Sequence, residues 1–212
     1  MDGRALFELR ELVEQDAELT AEADELRRRD DEVAVIRARA EAIDAFFASY
    51  PDEEARRRSA IAAADADLAH RRQEIADAET VLARARDEEA RIHAQHAVDR
   101  AHDHSAVAET KLHRAEGELA ELEAEAAALP DELVELERRA GGGAAGARGL
   151  TDWASRTHAE LFVATGQIAA SRERLIREAH ELASMLLGEA TYGATVAQAL
   201  ARVEANAGSV TN

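Results

Sequence analysis

The chain has 212 residues, 44 acidic against 26 basic, for a formal net charge of −18. So acidic a surface repels phosphate backbones and anionic lipid, which disfavours nucleic acid and membranes as electrostatic partners. There is no Cys and aromatic residues make up 3%, which excludes disulfides and thiolate metal sites and argues against one thick core.

Ala, Glu, Arg and Leu are abundant and Pro occurs twice, at Pro51 and Pro130, the composition of long helices and coiled coils. Lys111 is the only Lys. No apolar run approaches the roughly 18–20 residues that a membrane span needs. The start, Met1-Asp2-Gly3-Arg4, leads into Glu-rich sequence without a signal-peptide core, so a soluble cytoplasmic protein is expected.

A first helix is predicted from about Arg4 to Ser49, with Leu12, Leu19, Leu26, Val33, Ala40 and Phe47 at a period of seven. Tyr50-Pro51-Asp52 reads as its end, because Pro disfavours helical geometry in the residue before it and Asp52 can cap a new helix. The second helix carries Ile61, Leu68, Ile75 and Leu82 at the same period. Folding one onto the other through a turn near 49–52 sets Leu19 against Leu82, Leu26 against Ile75 and Val33 against Leu68.

The next heptad seam is the richest in the chain. One column reads Val98, Ser105, Leu112, Leu119, Ala126, Leu133, and another reads Ala101, Ala108, Ala115, Leu122, Leu129, Leu136. Glu residues flank both. Gly141 to Gly149 is a Gly-rich linker, after which Thr151 or Asp152 is expected to cap a helix carrying Leu161, Ile168, Leu175 and Leu182. Folding at the linker sets Leu161 against Leu129 and Ile168 against Leu122, with Arg172 and Arg174 opposite the Glu flanks. Gly188 and Gly193 bracket a break before a short last helix.

The expected fold is therefore all-α: two long antiparallel coiled-coil helical hairpins and a short C-terminal helix. Residues 4–98 form the first hairpin, 99–104 a His-rich joint, 105–187 the second hairpin, and 188–212 the short helix and polar tail. Residues 92–104 contain neither Gly nor Pro, which favours continuous helix there and an elongated rod over a four-helix bundle.

Chemistry-bearing candidates are few. His93, His96, His102 and His104, with Asp99 and Asp103, are the right ligand types for a divalent metal or a pH-responsive joint. On one helix, however, His93 and His104 lie roughly 16 Å apart along the axis. The Gly-rich stretch lacks the Gly-Lys-Ser/Thr ending of a phosphate loop. The Arg triplets 27–29 and 56–58 are interleaved with acids and read as solvated faces. Trp153 and Phe162 read as packing residues.

No catalytic constellation and no cofactor motif stands out, and no motif carries a family resemblance. The expected function is a non-enzymatic scaffold or adaptor that meets a protein partner, or further copies of itself, through helical faces. The expected seam residues are Leu112, Leu119, Leu122, Leu129, Leu161, Ile168, Leu175 and Leu182. A metal-binding or pH-responsive module at 93–104 is the alternative, and an acidic chaperone-like or nucleic-acid-mimic protein a third reading.

Overall fold

Apolar residues at every seventh position carry this chain into helix wherever they occur. The computed structural model describes residues 3–188, 191 and 193–210, and in it the chain is all-α, with no strand among the described residues. The elements are α1 (Gly3–Arg84), α2 (Glu88–Arg139), α3 (Gly146–Leu187) and α4 (Val196–Val210). They form two compact units, one of Met1–Arg39 with Ala140–Asn212 and one of Ala40–Arg139.

The turn expected near 49–52 is absent, because α1 continues through Tyr50-Pro51-Asp52 as one helix of 82 residues. Pro51 forfeits one backbone hydrogen bond and crowds the carbonyl four residues back, at about 3 kcal/mol relative to Ala. Two local features offset this. Pro51 is exposed, so the orphaned carbonyl of Phe47 can turn to water. Phe46 also packs edge-on to Phe47 at 5.7 Å and against Tyr50 at 5.8 Å, contacts worth about 0.5–1.5 kcal/mol each. Pro130 likewise lies exposed inside α2.

The first break falls instead at Ala85-Arg86-Asp87. Asp87 begins α2 as its cap: its Oδ1 accepts from the Ala90 N–H at 2.7 Å and its carbonyl from the Arg91 N–H at 3.1 Å. Glu88 and Glu89 follow in the first turn, where negative charge complements the helix dipole. Asp87→Ala is expected to lower stability by about 0.5–2 kcal/mol, read from urea unfolding followed by circular dichroism. Helix continues through 92–104, so no joint interrupts α2 at 99–104.

In the unit of Ala40–Arg139, α2 runs back along the second part of α1. Arg72 Nη2 lies 3.4 Å from Glu109 Oε1, Arg58 Nη2 lies 3.8 Å from Glu123 Oε1, and Arg57 Nη1 donates to the Glu118 carbonyl. At that register Leu68 is level with Leu112, Ile61 with Leu119 and Ile75 with Ser105. Val98, Ala101, Ser105, Ala108, Leu122, Leu129 and Leu136 are buried on α2, and Ala40, Ile43 and Leu68 on α1. The seam of α2 thus finds its partner in α1.

In the other unit, α3 runs antiparallel to the start of α1 and α4 lies against both. Arg172 Nε donates to Asp16 Oδ1 at 2.8 Å, and His158 Nδ1 lies 2.6 Å from Asp30 Oδ1. Arg172 was expected opposite the Glu flanks of α2. Its guanidinium instead meets Asp16, and that hydrogen bond raises its pKa above the ordinary value. Leu9, Leu175, Ala179, Ala183, Val196, Ala199 and Val203 form the main core, and Val33, Ala154 and Leu161 a smaller one against Leu26 and Trp153. The Ala positions let α4 come close, and Arg10 Nη2 binds Glu204 Oε1 at 2.7 Å on the rim.

The connections follow local chemistry. Gly141 and Gly142 hold φ of 86° and 76°, which an L side chain resists, and α2 ends just before them. Helix α3 then starts at Gly146, earlier than the expected cap at Thr151 or Asp152, and Thr151 Oγ1 bonds back to the Ala147 carbonyl at 3.1 Å. Gly188, at φ 70°, ends α3 with its N–H on the Ser184 carbonyl. Thr195 and Gln198 cap α4 reciprocally, Thr195 N–H to Gln198 Oε1 at 2.9 Å and Gln198 N–H to Thr195 Oγ1 at 3.2 Å.

Candidate functional site

The four candidate His residues on α2, His93, His96, His102 and His104, are all exposed. Among the described residues no three His, Asp or Glu side chains converge as metal ligands. His104 borders a cavity of about 170 Å³, together with Asp67, Arg71, Val107, Ala108 and Lys111.

The eight seam leucines and isoleucines all face inward, but in two sets. Leu122 and Leu129 are buried and Leu112 and Leu119 half-buried within Ala40–Arg139. Leu161, Ile168 and Leu175 are buried and Leu182 half-buried in the other unit, where Leu161 packs by Val33 and Leu175 by Leu9. The expected pairing of Leu161 with Leu129 and of Ile168 with Leu122 is therefore replaced. Trp153 packs as expected, whereas Phe162 does not and is 76% exposed.

Composition did not single out His180, a buried imidazole near the end of α3. Its Nδ1 lies 3.0 Å from Thr191 Oγ1, and Thr191 donates its N–H to Ser184 Oγ at 3.3 Å. Thr191 is itself fully buried. Thr191 Oγ1 lies 3.3 Å from the His180 carbonyl as well, which ties Thr191 to the end of α3.

The opening that does present chemistry lies between α1 and α3. A groove of about 540 Å³ is lined by Glu8, Glu11, Leu12 and Gln15 from α1 and by Glu178, Glu181, Leu182 and Met185 from α3. The spacing 8, 11/12, 15 and 178, 181/182, 185 puts about two turns of each helix on its walls. Leu12 and Leu182 form an apolar floor that continues into the main core. Met185, 71% exposed, adds a flexible and polarisable contact at one end.

Ion pairs of opposite sign join helices at Arg172–Asp16, Arg10–Glu204 and Arg72–Glu109. In the groove, the register set by Arg172–Asp16 brings Glu178 about level with Glu11 and Glu181 with Glu8, acid against acid. Glu8 is met by Arg4 at 3.0 Å, one turn away on its own helix. No cation lines the groove. What the arrangement can do is attract a positively charged amphipathic surface and seat its apolar edge.

No helix is long and apolar enough to cross a membrane among the described residues. In comparisons with protein-family models, with curated proteins and with solved structures, nothing matches this chain.

Proposed function

We propose that the chain is a non-enzymatic protein–protein interaction module, a coiled-coil scaffold whose α1–α3 groove receives a basic amphipathic helix of a partner protein. The observation that carries this reading is the pairing of like charges across an apolar floor. Four carboxylates surround Leu12, Leu182 and Met185, of which Glu8 is met by Arg4, and an incoming cation would relieve the repulsion among them. Lys or Arg on the rim and Leu on the floor is the pattern of helix-in-groove recognition. Steering by a net charge of −18 would speed the encounter.

The test uses two synthetic amphipathic helices with the same Leu face, one carrying Lys and the other Glu on the polar face. The Lys peptide is expected to bind the full chain and to weaken as salt rises, and the Glu peptide not to bind. Converting both Glu178 and Glu181 to Lys should weaken the Lys peptide about tenfold or more, since each tenfold is about 1.4 kcal/mol and several charge contacts reverse sign together. Met185→Ala, at an exposed position, should weaken it without altering the fold. Peptide binding indifferent to all three substitutions would overturn the reading.

A further inference from the structure

Helix α3 carries a second apolar face, opposite the one it packs on α1. Ala159, Val163, Gly166 and Ala170 recur at helical spacing along it, and all are exposed, Val163 at 57%. Phe162 flanks them at 76% exposure. The line itself carries no charge over these three turns, with the exposed Glu160 at its edge beside Ala159 and Val163.

Gly166 adds an independent observation. A glycine inside a helix costs about 1 kcal/mol relative to Ala. Its φ is not positive, and a Cβ built there meets nothing within 4 Å, so nothing in its own surroundings requires it. Gly117, in equally open space, lies among Glu116, Glu118 and Glu121, whereas Gly166 lies between Val163 and Ala170. A missing side chain in an uncharged face admits a large side chain from outside.

The charges that bound the face say whose. Asp152 and Arg156 precede it and Glu173 and Arg177 follow it, all exposed. Cross α3 antiparallel with a second α3 so that Val163 meets Gly166 of the partner subunit. Ala159 then meets Ala170 of the partner subunit, Arg156 meets Glu173 of the partner subunit, and Asp152 meets Arg177 of the partner subunit. Two-fold symmetry makes each contact twice. A parallel crossing would set Arg156 and Glu173 against their own copies, like charge on like. Arg177 Nη2 already lies 3.3 Å from Glu173 Oε1 within the chain, so the crossing adds to an existing pair.

We propose that the outer face of α3 is a self-association surface on which two copies of this chain pair antiparallel about Val163 and Gly166. The face is about 39 Å long by about 10 Å wide at ~1.5 Å rise per residue, at the small end of specific interfaces. The dimer is accordingly weak and concentration-dependent. It leaves the acidic groove untouched and does not depend on that reading.

Sedimentation equilibrium of the full chain over a wide concentration range tests it, with circular dichroism as the check on folding. The wild type should shift from monomer to dimer, and Val163→Glu should remain monomeric while fully helical. Arg156→Glu sets like charge against Glu173 of the partner subunit and should weaken association about tenfold or more. Arg156→Glu combined with Glu173→Arg should restore it, because the reciprocal exchange rebuilds both pairs only in the antiparallel homodimer. A chain monomeric at every concentration, association indifferent to Val163→Glu, or a double variant no better than Arg156→Glu alone would each overturn the proposal.

Discussion

Pro51→Ala is expected to stabilise the protein by up to about 3 kcal/mol, against the usual direction of a substitution in a folded chain. Pro51 lies deep within α1, far from either end, and is exposed. Ala there restores the bond to the Phe47 carbonyl and removes the ring that crowds it, while little packing is lost. Were residues 49–52 a turn, the same change would free the unfolded chain and destabilise by about 0.4–1 kcal/mol. The sign of the shift in urea midpoint therefore separates continuous helix from turn. Pro130→Ala, exposed within α2, should shift it the same way.

Leu9→Ala should have the largest destabilising effect, about 2–5 kcal/mol. Leu9 is fully buried and is the large α1 side chain in a cluster otherwise built by α3 and α4, several of whose members are Ala. Neighbours that are already small and closely packed cannot collapse into the space, so the cavity persists. Leu9→Met, which keeps most of the volume, should cost less than about 1.5 kcal/mol. Hydrogen exchange locates the loss: protection should fall over residues 175–187 and 196–203 and hold over 94–136 of the other unit. Uniform loss along the chain would show that the two units do not open separately.

Much of the helical content was legible, because a period of seven dictates an apolar stripe whatever the partner. The columns read from the sequence face inward in the structure, except at Phe47, which is exposed. Partner choice was not legible, for a reason built into the pattern. Any column with period seven coincides with any other at some register, so four matching rows between Leu19–Ala40 and Ile61–Leu82 carry almost no information. The informative signal was phase. Phe47, Glu54 and Ile61 continue the column of Ala40 across Pro51 without a shift, whereas a new helix would be free to start at any phase.

Two caps were also within reach of a local reading. Asp87-Glu88-Glu89 is an acidic start of the kind a helix N-terminus prefers, and Thr195 with Gln198 three residues later is a capping box. At the first break Pro51 outweighed Asp87 as a signal, although an exposed proline between long packed stretches is tolerated. The acidic groove had no sequence signal. Glu8, Glu11, Glu178 and Glu181 are four of many acids, and only the register between α1 and α3 turns them toward one another.

The compact unit of Ala40–Arg139 is one continuous stretch of chain, built from the second part of α1 and from α2. Its two helical strands share one sevenfold repeat, so a change of seven residues in α1 matched by seven in α2 leaves every remaining knob in its hole. Unmatched changes, or changes of other size, rotate acids into the seam. Descendants of this gene would thus vary in length by whole steps of fourteen residues, with both chain ends, the acidic groove and the outer face of α3 inherited unaltered.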